Sequence, residues 1–145
     1  MRRLGPVLAF LLLPALSAAC EPTSSSGTRP VHCEVVADAP VKAENADKIV
    51  GTVRFSCDTP GAEKLTLKMQ LQRKDGEVWH TVSSASYTVK GTATHADGWD
   101  RHSRTVETKC AVGVYRTVVD WSRVSRGDTK GDNLETGGSA NPCRI

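Results

Sequence analysis

The sequence predicts an all-β fold, a small antiparallel β-sandwich that is immunoglobulin-like only in a loose sense. Apolar residues alternate strictly with polar ones at Leu65, Leu67, Met69 and Leu71, a period typical of a strand with one wet face. Turn-forming residues separate several such short segments along the chain. No window of about 11 residues or more shows a convincing helical period, so the pattern favours a sandwich.

Short segments with strand character follow one another from residue 31 onward. They are predicted at residues 33–37, 49–57, 65–71, 78–83 and 87–89, with one strand or a strand pair over 104–124. Pro40 is expected to stop the first strand, and Asp75-Gly76 predicts a hairpin turn. Residues 125–141 are polar and glycine-rich, and we expect them to be a loose tail.

The five cysteines are an odd number, which leaves one thiol to account for in an exported protein. Without Cys20 the set is even, and four cysteines in an oxidising compartment predict two disulfides. Three pairings are possible. We prefer Cys33 with Cys57 and Cys110 with Cys143, because the second bridge would hold the polar tail on the sheet. Neither a CxxC motif nor a cysteine–histidine cluster is present, so structural zinc is not expected.

The first 19 residues have the layout of a secretory signal peptide. Arg2 and Arg3 precede an apolar run over residues 7–16, and the small residues 17–19 follow. The apolar run is shorter than the roughly 20 residues that a membrane-spanning helix needs. We therefore predict residues 1–19 to be removed on export.

Cys20 directly follows the small residues, and residues 16–20 resemble the lipobox of bacterial lipoproteins, whose cysteine receives a diacylglycerol. The family favours leucine three residues before the cysteine, where this chain has Ser17. The resemblance implies a lipid on Cys20, a flexible tether over residues 20–30, and a domain over residues 31–145. The alternative is ordinary secretion with cleavage near Ala19.

The charge of the chain argues against nucleic acid as a partner. The chain has 19 basic and 16 acidic residues, and removal of Arg2 and Arg3 leaves 17 against 16, a net charge of +1. A nearly neutral domain lacks the basic footprint that binding to nucleic-acid phosphates requires.

A polar loop over residues 91–103 is the best candidate for function, and we call it the contact loop. Imidazole and carboxylate groups suit a divalent metal, but their spacing matches no metal motif, so we predict no metal. A tryptophan among charged residues is typical of an interface anchor; the alternative is that its ring folds back on the edge of the sheet. The possible contact residues are His95, Asp97, Trp99, Asp100, Arg101 and His102.

Catalysis is not expected, because a Gly-x-Ser-x-Gly elbow is absent and the cysteines are accounted for as bridges; no cofactor is predicted. The segments 55–57, 71–73 and 110–117 (FSC, LQR and CAVGVYRT) resemble small exported actinobacterial proteins. That resemblance implies a four-cysteine β domain and no activity.

The sequence thus predicts an exported, membrane-tethered binding module. Its lipid would hold it at the outer side of the cytoplasmic membrane, and its partner would be an extracellular protein or a cell-wall component. The alternative is a secreted inhibitor or small effector of an extracellular hydrolase or protease, since a rigid loop suits inhibition.

Overall fold

A computed structural model describes residues 29–98 and 100–144, which form two antiparallel sheets in a sandwich-like arrangement. The strands in chain order are β1 Cys33–Lys42, β2 Lys48–Cys57, β3 Lys64–Asp75, β4 Val78–Val89, β5 His102–Lys109, β6 Val114–Ser125, β7 Asp128–Glu135 and β8 Ser139–Ala140. The smaller sheet has the order β1-β2-β5. The larger has the order β4-β3-β6-β7, with β8 paired to β6. The predicted all-β sandwich with two disulfides is confirmed.

The core lies between the two sheets and follows the alternation that the sequence shows. Leu65, Leu67, Met69 and Leu71 of β3 are all at most 1% exposed. From β6, the inward-facing apolar residues are Tyr115, Val119 and Trp121, as their shared parity predicts. Each buried leucine or phenylalanine stabilises the fold by roughly 1.5–3 kcal/mol relative to an exposed one.

Pro40 does not stop β1, and the prediction of a short strand there was wrong. The strand continues to Lys42, and its register with β2 shifts between Asp38 and Val41. Because β1 is an edge strand and the proline lies in this irregularity, its missing N–H costs no ladder hydrogen bond.

The separate strands predicted at 78–83 and 87–89 are one continuous strand, β4. Its backbone pairs with β3 through Ser83, Ser84, Ala85 and Ser86, with a single register shift near Leu71. The small polar side chains of this edge strand interrupt the apolar alternation by which a strand is recognised in a sequence. They do not affect the backbone hydrogen bonds that join β4 to β3. The Asp75-Gly76 hairpin is confirmed, with Gly76 at a φ of 61°.

The polar segment after β6 is not loose, and this prediction was also wrong. It turns at Arg126 and Gly127, whose φ angles of 49° and 74° suit the tight hairpins that twist with antiparallel strands. Strand β7 then pairs with β6 from Ser125↔Asp128 onward. The stretch 104–124 proves to be two strands, because β5 belongs to the smaller sheet and β6 to the larger.

The two disulfides join the pairs that the sequence analysis preferred, and they lie at opposite ends of the sandwich. Cys33–Cys57 links residues that face each other across β1 and β2. Cys110–Cys143 links the β5–β6 connection to the C-terminal segment. We call these the Cys33 end and the Cys110 end. A bridge within one sheet differs from the inter-sheet bridge of true immunoglobulin domains.

The contact loop and the N-terminal segment both lie at the Cys33 end. His102, where β5 begins, pairs with Phe55 near the end of β2. The backbone N–H of Val31 donates to Ser125 Oγ at 3.0 Å, which holds the N-terminal segment against the end of β6. The predicted signal peptide, Cys20 and tether residues 21–28 lie outside the described residues.

Candidate functional site

The contact loop begins with a short 3-10 helix, Gly91–Thr94, that is fixed to the sandwich. Thr94 is buried, and its hydroxyl donates to the carbonyl of Gly91 at 2.7 Å while accepting from the N–H of Ala62 at 2.8 Å. The N–H of Gly91 donates to the carbonyl of Ala62 at 2.8 Å. Three hydrogen bonds therefore hold the first turn of the loop. One lies within the turn, and two join the turn to the backbone of Ala62.

His95 fastens the middle of the contact loop to β2. Its Nδ1 lies 2.7 Å from the carbonyl oxygen of Cys57, and its Nε2 lies 3.0 Å from Oδ1 of Asp97. Both partners are acceptors, so the doubly protonated imidazolium satisfies both contacts by donating from each nitrogen. The hydrogen bond to Cys57 and then that to Asp97 raise the pKa of His95 above its ordinary value.

Arg101 and His102 anchor the end of the contact loop. Nε2 of His102 donates to the carbonyl of His95 at 2.6 Å, and its ring packs against Phe55 with centroids 5.6 Å apart. Nη2 of Arg101 donates to Oε1 of Glu34 on β1 at 2.7 Å. These contacts join the loop to both β1 and β2.

The structure divides the predicted contact residues into two groups. His95, Arg101 and His102 are partly buried and hold the loop from within, whereas Asp97 and Asp100 are exposed. His102 belongs to β5, so the loop is shorter than predicted. Trp99 lies outside the described residues, and its role as a contact residue stays a prediction.

Within residues 29–98 and 100–144, no three side chains of the His, Cys, Asp and Glu types are placed to hold one metal ion. The imidazoles of the contact loop instead face carbonyl groups. The arrangement can present a polar surface of fixed shape, because both of its imidazole groups already have hydrogen-bond partners.

The raised pKa of His95 links the contact loop to pH. The folded protein binds the imidazole proton more tightly than the unfolded chain, where histidine keeps its ordinary pKa of about 6.5. The resulting stabilisation is fully present below that value and is lost as the pH rises through the higher folded-state pKa. We therefore expect the loop to be held more firmly under mildly acidic conditions.

Replacing Asp97 with asparagine is expected to lower the pKa of His95, because it removes the carboxylate that favours the imidazolium. The hydrogen bond to Cys57 would remain, so a part of the shift should persist. An NMR titration of the His95 ring measures the pKa directly. Asp75→Asn, which changes an aspartate at the other end of the sandwich, should leave it unchanged. A His95 pKa that is the same in the Asp97→Asn protein would contradict this description.

Sequence reasoning missed one unusual position, Arg123 on the inner face of β6. The residue is only 4% exposed and lies next to Trp121 on the same face. The sequence does indicate this position. Residues 115, 119, 121 and 123 share one parity and therefore one face of β6, and a charged residue on the inward face is uncommon.

Fold and site together define a class: a small all-β sandwich domain with a disulfide at each end and an internally anchored loop. Two disulfides indicate an oxidising environment. Comparison of the chain with protein-family models gave no match, and comparisons with curated proteins and with solved structures gave none either. In the part of the chain that the structure describes, no helix has the length and apolarity needed to cross a membrane.

Proposed function

We propose that this protein is an exported binding module, held by a lipid on Cys20 at the outer side of the cytoplasmic membrane. The observation that carries the proposal is the internal anchoring of the contact loop through His95, Arg101 and His102. The proposal includes no catalytic step and no cofactor.

An anchored loop is suited to binding because its shape is set before a partner arrives. Ordering a loop on binding costs roughly 0.5–1.5 kcal/mol for each immobilised side chain. Here His95 and His102 already have partners in the free protein, so that cost is reduced. The carboxylates of Asp97 and Asp100 remain exposed for contact, and Trp99 between them is the proposed anchor residue.

The position of the loop supports a partner close to the membrane. The described chain begins at Arg29, at the Cys33 end, which also carries the contact loop. The segment 21–30 between Cys20 and the domain spans at most about 35 Å when fully extended. An extracellular protein or a wall component near the membrane surface therefore fits the geometry.

Binding to isolated cell envelopes from the producing organism would test this proposal. The full-length chain with Cys20→Ser, which cannot be acylated at that position, would be exported, labelled and mixed with envelopes. We expect saturable binding that Trp99→Ala weakens by about tenfold or more, since buried tryptophans dominate interfaces. The control is Val112→Ser, because Val112 is 78% exposed in the connection at the Cys110 end.

Two results would contradict the proposal. One is a lack of saturable binding to the envelopes. The other is an equal loss of binding in the Trp99→Ala and Val112→Ser proteins, which would remove the contact loop from the interaction.

The second candidate is a secreted inhibitor of an extracellular hydrolase or protease. The same anchored loop favours it, since a rigid loop is what an inhibitor presents to an enzyme. This candidate requires the protein to diffuse freely, so unacylated protein in the medium would favour it over the tethered module.

A further inference from the structure

A cavity of about 340 Å³ lies between the N-terminal segment and strands β6 and β7. The lining residues come from the segment before β1 and from β6 and β7: Arg29, Pro30, Val31, His32, Cys33, Trp121, Arg123, Asp128 and Lys130. Strand β7 is the edge of its sheet, and its residues from Asp128 to Asn133 are exposed. The lining includes no residue of the contact loop.

Two residues of this lining each carry a buried hydrogen-bond donor without a partner among the described residues. They are the indole Nε1 of Trp121 and Nη1 of Arg123. Both groups can only donate. Leaving such a group unpaired costs about 1–3 kcal/mol, so each one calls for an acceptor.

Arg123 is the more informative of the two, because its charge is almost completely buried. Its side chain is 5% exposed, and within the part of the chain that the structure describes only Nη2 contacts a carboxylate, that of Asp128 at 2.9 Å. A buried charge that is only partly paired is unfavourable, and an apolar residue of similar size would avoid the cost. Stability alone therefore does not account for an arginine at this inward position.

The charge around the cavity is positive, although the exported chain is nearly neutral. Three basic side chains, Arg29, Arg123 and Lys130, line it against the single carboxylate of Asp128. Guanidinium and ammonium groups together with an indole N–H form a set of donors that matches an oxyanion. The polar lining therefore points to a negatively charged ligand that accepts several hydrogen bonds.

We propose that this cavity binds an oxyanion, a carboxylate or phosphate group carried by a small ligand. Nε1 of Trp121 and Nη1 of Arg123 donate to its oxygens, and Lys130 and Arg29 supply charge from the rim. The two donor atoms are shielded from solvent, so binding requires side chains of the lining to change rotamer. The site does not depend on the proposed contact loop.

The indole N–H signal of Trp121 gives a direct test by ¹H–¹⁵N NMR. The oxidised, exported chain with Cys20→Ser would be titrated with sodium phosphate and, separately, with sodium acetate. Sodium chloride at equal ionic strength is the reference. Trp121→Phe serves only to assign the signal. We expect a saturable shift of the Trp121 signal with at least one oxyanion and no saturable shift with chloride.

Variants at the exposed rim identify the site without disturbing the core. Lys130→Gln and Arg29→Gln should each weaken binding by about threefold, the size of an exposed ion pair. Lys68→Gln is the matched control, because Lys68 is an exposed lysine on the outer face of β3. Saturation by phosphate alone or by acetate alone supports the site and names the preferred oxyanion.

The proposal is overturned if neither oxyanion gives a saturable shift, or if chloride gives the same one. It is also overturned if Lys130→Gln and Arg29→Gln bind as Lys68→Gln does. None of these results would bear on binding to cell envelopes through the contact loop, so the two proposals fail separately.

Discussion

Replacing Cys33 and Cys57 together with alanine is expected to lower the free energy of unfolding by about 3 kcal/mol and to loosen the contact loop. The two cysteines are 24 residues apart, and cross-linking a chain segment of that length restricts the unfolded state by about this amount. The loop should respond as well, because the carbonyl of Cys57 accepts the hydrogen bond from His95. Urea unfolding would measure the first effect, and the rate of proteolysis at residues 95–101 would measure the second.

The second disulfide provides the matched control. Cys110 and Cys143 are 33 residues apart, so their removal should lower the free energy of unfolding by a similar amount, about 3–4 kcal/mol. The bridge lies at the other end of the sandwich, and the contact loop should then stay protected. Equal proteolysis of the loop in both double variants would show that its order does not depend on the Cys33 end.

Leu67→Ala is expected to lower the free energy of unfolding by about 2–5 kcal/mol, since it leaves a cavity in a close-packed core. Leu67 is fully buried on β3, which has a neighbouring strand on each side in the larger sheet. Val82→Ala is the control. Val82 is 39% exposed on edge strand β4, and its loss should change stability by less than about 0.5 kcal/mol. Similar values for the two variants would place the core elsewhere.

The strands with apolar alternation could be predicted from the sequence because one of their faces is buried. Residues 65–71 and the parity of Tyr115 with Trp121 both lead directly to the observed core. The preferred disulfide pairing was found for a related reason. The polar C-terminal segment lacks the apolar surface to hold itself on the sheet, so a bridge there has a clear physical role.

The edges of the sheets could not be predicted in the same way, because backbone pairing rather than side-chain burial defines them. Strand β7 is exposed along almost its whole length, and its turn uses Arg126-Gly127 instead of the asparagine–glycine that signals such hairpins. The prediction that Pro40 ends β1 was wrong for a similar reason. Only the strand order shows that β1 is an edge strand, where proline is tolerated.

The loop that forms the candidate site was predicted from the sequence, but its internal structure was not. The polar composition of residues 91–103 indicated a loop with charged and imidazole side chains. It did not indicate that His95 would reach back to Cys57, since that contact depends on a neighbour 38 residues away in the chain. The cavity near Arg123 was missed because its walls come from three separate segments.

The intact mass of the protein purified from its native membranes, before and after reduction, tests the central claim most directly. A processed chain that begins at Cys20, carries a diacylglycerol there and gains about four hydrogens when its two disulfides are reduced is the predicted result. Such a mass would support an exported and tethered binding module. An unprocessed chain without lipid, or a mature chain that is found only in the medium, would contradict the tether.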